Sequence, residues 1–244
     1  MIKASLGGVG QISLKKNNII EYRESSVKRL SVIAHFDKYP LMTQKRADYE
    51  LFKQAVKFIQ NKEHLTIEGL HKIIAIKASM NKGISDELKA AFPKITPVQR
   101  LEVEDQVIKD PNWLAGFVNG EGCFFVGISK SKSTKTGYSV ELRFSISQHS
   151  KDTILINSLT NFFKCGQIMI MGNKSMVEFR VCSFKDIIEK VIPFFDQYSL
   201  YGAKNLDYVD FCKVARMMKS KTHLTVSGLE QIRKIKYNMN RGRI

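Results

Sequence analysis

Long apolar runs are missing: no stretch approaches the ~20 residues that a membrane-spanning helix needs, so a membrane is not among the expected partners. Cysteine is sparse. Cys123, Cys165, Cys182 and Cys212 have no paired spacing, which argues against a zinc ribbon or a disulfide framework and for reduced, mostly buried thiols. Five scattered histidines give no ligand pattern either. Acidic residues are in deficit, 23 against 39 basic ones, for a net charge of +16 and a pI near 9.7. That imbalance is the footprint of a nucleic-acid binder, although an organelle ribosomal protein would carry it too. The opening Met1-Ile2-Lys3-Ala4-Ser5 has neither a secretory apolar core nor an Arg-rich leader. A protein of this kind working in an organelle is expected to be encoded there.

Proline is rare, and three of the five prolines, Pro93, Pro97 and Pro111, punctuate one stretch. On either side of it the sequence repeats itself. Phe36 to Gly83 aligns without gaps on Phe195 to Gly242, an offset of 159, with 20 of 48 positions identical. His64-Leu65-Thr66 meets His223-Leu224-Thr225, and Gly69-Leu70 meets Gly228-Leu229. With small gaps, Gly10-Gln11-Ile12 meets Gly166-Gln167-Ile168, and Glu21-Tyr22-Arg23 meets Glu178-Phe179-Arg180. The expectation is two related half-domains: an incomplete one at 1–92, a linker at 93–111 and a complete one at 112–244.

The most specific segment is Trp113-Leu-Ala-Gly-Phe-Val-Asn-Gly-Glu-Gly-Cys-Phe124. Leu114, Ala115, Phe117 and Val118 form an apolar helical pattern. Gly116 and Gly120 are four apart and share one face, where a second helix backbone could approach closely; the rule is familiar from membranes, but its steric basis holds in water. Glu121 follows at the helix end. Two such acids, one from each helix, could hold metal ions and activate water for phosphodiester cleavage. A short buried helix that merely contains glycine is the plainer alternative.

Over Leu114 to Gly122 this segment resembles the signature of the LAGLIDADG homing endonucleases, and from Gly10 to Arg243 the chain is similar to fungal mitochondrial, intron-encoded, single-chain members. The resemblance implies an α+β fold with saddle-shaped antiparallel sheets. It implies Glu121 as catalytic acid and metal ligand, with Gly120 beside it, and Mg2+ or another divalent cation as cofactor. It also implies that Gly116 and Gly120 form a helix interface. Only one such motif is present. A counterpart of Glu121 in the first copy would fall some 35 residues before Met1, so an amino-terminally truncated relative is expected.

The complete copy reads as αββαββαα. After Glu121, Phe124, Val126 and Ile128 alternate with Phe125, Gly127 and Ser129. The next strand puts Tyr138, Val140, Leu142, Phe144 and Ile146 on one face, and Ser139, Glu141, Arg143, Ser145 and Ser147 on the other. A second hairpin is expected around Gly172-Asn173, with Glu178 and Arg180 pointing outward. Helices are expected at 151–163, 184–198, 204–218 and 225–239, and Thr66 and Thr225 have the place of N-caps. Two-stranded ribbons fit the DNA major groove. In the family this polar face lies over double-stranded DNA, which implicates Phe125, Ser129, Ser139, Glu141, Arg143, Ser145, Ser147, Glu178 and Arg180. From the first copy it implicates Gln11, Ser13, Lys15, Glu21 and Arg23. Gly127 has no side chain to read with.

Lys45 and Lys204 are equivalent in the repeat. The resemblance puts such lysines near the cleaved backbone, where Lys204 could stabilise phosphate charge; a solvated or phosphate-neutralising lysine is the simpler reading. Asp48-Tyr49 and Asp207-Tyr208 suggest packing and capping. The expected function is an intron-encoded homing endonuclease-like protein of the mitochondrion, a plastid being the lesser option. The alternatives are an intron RNA maturase or an inactive remnant that still binds nucleic acid. Self-association or a split partner through the glycine helix is expected.

Overall fold

The computed structural model describes residues 2–16, 19–26, 31–172 and 175–243. It separates into two compact units, Met1–Asp105 and Gln106–Ile244, with the boundary inside the proline-punctuated stretch. That stretch is not a free tether. In the first unit Val103 is buried and Arg100 Nη1 donates to Asp48 at 2.6 Å. In the second, the fully buried Gln106 donates to Asp152 at 2.9 Å and accepts from the Leu155 N–H at 3.1 Å.

The first unit runs α1 (Ile2–Ser5), β1 (Gln11–Leu14), β2 (Ile20–Arg23), α2 (Ser31–Lys38), α3 (Lys45–Gln60), α4 (Ile67–Ser79) and α5 (Asp86–Ala91). Its two strands are antiparallel, with Gln11 opposite Arg23 and Ser13 opposite Glu21. The second unit runs α6 (Pro111–Glu121), β3 (Gly122–Lys130), β4 (Tyr138–His149), α7 (Thr153–Phe163), β5 (Gln167–Met171), β6 (Met176–Val181), α8 (Phe184–Asp186), α9 (Ile192–Gln197), α10 (Gly202–Lys219) and α11 (Val226–Tyr237). Its sheet is antiparallel in the order β3-β4-β6-β5. The fold is α+β. Of the turn expected at Gly172-Asn173, Asn173 lies outside the described residues.

One face of that sheet is the core. Phe124, Val126, Leu142, Phe144, Ile146, Val177, Phe179 and Val181 are buried against α7, α9 and α10. The Phe124 ring lies 5.2 Å from Phe144, 5.4 Å from Phe195 and 5.3 Å from Phe211. Each such phenylalanine contributes about 1.5–3 kcal/mol on burial. In the first unit Phe52, the counterpart of Phe211, is 36% exposed, and Ile12, Leu14 and Ile20 are exposed as well.

The helix expected over 184–198 is not continuous. A π turn, Ile187–Val191, separates α8 from α9. Pro193 opens α9 and has no N–H to give the carbonyl four residues back, so a widened turn takes up the break.

The aligned stretches make the same local contacts. The Tyr49 hydroxyl donates to Ile33 O and Asp37, at 2.9 and 2.7 Å; Tyr208 does the same to Ile192 O and Asp196, at 2.9 and 2.6 Å. Asp48 accepts from the Asn81 N–H at 3.0 Å, and Asp207 from the Asn240 N–H at 2.9 Å. Thr66 caps α4 by accepting from Gly69 N, and Thr225 caps α11 by accepting from Gly228 N. Glycine is required after each cap. A Cβ on Gly69 would sit 1.9 Å from Glu63 O, and one on Gly228 2.0 Å from Thr222 O.

Candidate active site and nucleic-acid interface

Helix α6 starts cleanly: Asp110 accepts from the Asn112 N–H at 2.9 Å and Pro111 takes the first turn, where no donor is needed. Leu114, Ala115 and Val118 face the core. The three glycines of the motif have two different roles. A Cβ on Gly122 would meet Val118 Cγ1 at 2.5 Å, so this glycine lets the chain turn from helix into β3. Around Gly116 and Gly120 a Cβ would meet no described atom within 4 Å, so their face of α6 is open.

The end of α6 is fastened to the start of α10. Asn119 accepts from the Tyr201 N–H at 3.0 Å, and the Lys204 ammonium donates to Gly122 O. Glu121 therefore precedes the residue that this partly buried lysine holds. It is exposed and makes no hydrogen bond or ion pair among the described residues. Lys45, the counterpart of Lys204, is exposed at the start of α3. No group of three or more His, Cys, Asp or Glu able to hold a metal occurs among the described residues. The exposed Glu121 carboxylate is an oxygen donor of the kind a divalent cation takes, and could be only one ligand of several.

The sheet register brings the expected polar residues together on the face opposite Phe124. Phe125 lies opposite Arg143, Gly127 opposite Glu141, Ser129 opposite Ser139, Ser145 opposite Arg180 and Ser147 opposite Glu178. Two of these residues are less exposed than expected. Glu178 is only 5% exposed and is bound to Arg180 at 2.6 Å; β6 is an inner strand, so its central side chains are covered from both sides. Ser145 is buried for the same reason. Gly127, which has no side chain to read with, lies under the Glu141 side chain: a Cβ there would meet Glu141 Cγ at 2.3 Å.

Cys123 shares this face, and burial pushes its thiol pKa up against the opposing charges of Lys204 and Arg143. In the first unit Gln11, Ser13, Lys15, Glu21 and Arg23 share one face of the hairpin. Glu21 pairs with Lys15 at 3.1 Å and Arg23 at 3.2 Å, and the Lys15 hydrogen bond leads in holding its carboxyl below the usual range.

Two residues were missed in the sequence. Lys236 of α11 lies 5.8 Å from the Phe125 ring centroid, and Arg233 lies 4.6 Å from that of Tyr138 while also pairing with Glu230. Basic residues three apart in the last helix were the available signal.

Residues 1–56 and 114–215 match the LAGLIDADG endonuclease family model. A probable intron-encoded endonuclease 3 of Neurospora crassa is 45% identical over 95% of this chain and 44% of its own length. A probable intron-encoded endonuclease 2 of the same fungus is 39% identical over 98% of this chain and 54% of its own. The chain thus spans about half the length of these curated relatives. The solved I-SmaMI LAGLIDADG homing endonuclease bound to cleaved DNA is 44% identical, with a TM-score of 0.97, covering 100% of this chain and 82% of that one. I-GzeII in complex with its DNA target is 41% identical, with a TM-score of 0.93, over 100% and 84%. On sequence and fold together, this chain belongs to the LAGLIDADG endonuclease family.

Proposed function

We propose that the chain is part of an intron-encoded homing endonuclease of the mitochondrion that binds a long duplex DNA site on its polar sheet faces. The observation that carries this reading is the unpaired Glu121, at the end of an open glycine face and one residue before the carbonyl that Lys204 holds. In this reading 1–92 and 112–244 are two related half-domains joined by 93–111. Glu121 and the Gly120 carbonyl contribute to a Mg2+ or other divalent site, and a second acid comes from an equivalent helix packed on Gly116 and Gly120. That helix belongs either to a second copy or to sequence outside this chain. When bound, the cation lowers the pKa of its water and stabilises phosphate charge. Lys204 adds a fixed positive charge at the same place. In one solved relative, alanine replaces two lysines 159 positions apart, the separation of Lys45 from Lys204.

A binder without cleavage, on DNA or intron RNA, is the second reading. It is favoured by the lack, among the described residues, of any group of three or more His, Cys, Asp or Glu. Glu121→Gln separates the two. In a cleaving assembly it should abolish metal-dependent cutting and leave DNA affinity within a few-fold. A cleaving preparation that keeps full activity with this change would rule out the role of Glu121.

A further inference from the structure

The polar face of the second unit holds two arginines in different states. Arg180 is engaged inside the protein by Glu178 at 2.6 Å. The Arg143 guanidinium makes no hydrogen bond or ion pair among the described residues, whereas Arg180 has its carboxylate; the Nε of both is buried without a partner. What holds Arg143 is the ring of Phe125, directly opposite in register, with the guanidinium carbon 4.3 Å from the centroid. A second cation uses the same ring: Lys236 Nζ, 5.8 Å away. Phe125 stands on the face opposite Phe124, and Phe124 packs on α10. Because β3 is an edge strand, Lys236 reaches the ring from the helix layer round that edge. Its repeat counterpart Lys77 is turned elsewhere, donating to Gly83 O at 2.9 Å. The nearest carboxylate on this stretch of β4, Glu141, lies over Gly127 and pairs with neither cation among the described residues.

Two cations on one aromatic ring repel each other. The ring's negative face offsets part of that, and an anion beside them would offset more. We propose that Arg143, Phe125 and Lys236 form a clamp on the nucleic-acid backbone at the rim of the polar face. Lys236 and Arg143 contact its phosphates; Phe125 is a positioning residue that presents both. The clamp rests on the nucleic-acid reading above and adds α11 to the contact surface.

The test is binding of the full chain to duplexes of unrelated sequence, followed by anisotropy across a salt series. If the unaltered chain shows no salt-dependent binding, the nucleic-acid reading itself fails. If it binds, Lys236→Gln should lower the log–log salt slope by about 0.9, and affinity should fall by the same factor on every sequence. Phe125→Leu, which keeps both cations, should weaken binding as much as Arg143→Gln, and Phe125→Tyr should restore it. The clamp is wrong if Lys236→Gln leaves slope and affinity unchanged, or if folded Phe125→Leu binds like the unaltered chain. Should Phe125→Leu fail to fold, the half-buried helix variant Lys236→Gln decides alone.

Discussion

Lys204 donates to the carbonyl oxygen of Gly122, the residue that follows Glu121. The first turn of α10 thus carries a cation to the end of the glycine helix, and the backbone holds it there without any carboxylate. Lys204→Met keeps the length of the side chain and removes the charge. Single-turnover cleavage by an assembled, cutting form should slow by about 100-fold, as for loss of one preorganised charge-stabilising donor, while Kd for DNA changes little. A rate within twofold of the unaltered protein would make Lys204 a purely structural lysine.

The glycines divide into two classes that substitution should separate. At Gly116 and Gly120 a Cβ finds open space, so Gly116→Ala should stabilise the isolated chain by about 1 kcal/mol through helix propensity. The same change should weaken association through α6, which sedimentation would register as a shift toward monomer. Gly69→Ala and Gly228→Ala force a Cβ onto a carbonyl oxygen and should each cost about 1–3 kcal/mol. Urea unfolding of the three variants checks the division. Destabilisation at Gly116 as large as at Gly228 would contradict it.

Asp207 and Asp48 occupy equivalent positions but differ in burial. Asp207, 6% exposed at its side chain, accepts from the Asn240 N–H and from Arg243 at 2.9 Å. Asp48 pairs with Arg100, whose side chain is 37% exposed, although Arg243 and Arg100 are not aligned in the repeat. Asp207→Asn leaves Arg243, 20% exposed at its side chain, with the Asp210 carboxylate alone and should cost about 2 kcal/mol. Asp48→Asn, on a screened pair, should cost about 1 kcal/mol or less. Equal losses in chemical unfolding would mean that burial does not set the strength of these ties.

Acid should act through the same carboxylates. At Asp48 burial raises the pKa, but the Arg100 hydrogen bond, the Asn81 N–H and the charges of Arg100 and Lys45 outweigh it and leave the group below its ordinary 3.8. At Asp210 burial is likewise outweighed, by Lys213 and Arg243. A carboxyl lowered in the fold stabilises it above the unfolded pKa, and that contribution is lost as pH falls through the folded one. Stability should therefore decline below about pH 4, within the usual carboxylate range, and Asp48→Asn should flatten the decline in the first unit. An unchanged slope would exclude Asp48 from acid unfolding.

Much of this was legible in the residues. Alternation assigned the inner and outer sets of β3 and β4, because a strand's side-chain period is two. The offset repeat predicted paired caps at Thr66 and Thr225, which are present. The repeat could not give the depth of each outer position. Whether Glu178 reads solvent or an ion pair depends on β6 being an inner strand, and strand order is not written in local pattern. Nor could it reveal Lys236, whose role depends on reaching Phe125 across more than a hundred residues of sequence. The open face of Gly116 and Gly120 and the tight turn at Gly122 look alike in the motif, and only the packing separates them.

The central claim, that the basic polar faces bind duplex DNA, is tested most directly by the salt dependence of binding of the 244-residue chain. Affinity should fall linearly on logarithmic axes, with about 0.9 of slope for each phosphate contacted and several contacts in all. A flat salt response, or no binding at low salt, would contradict the account.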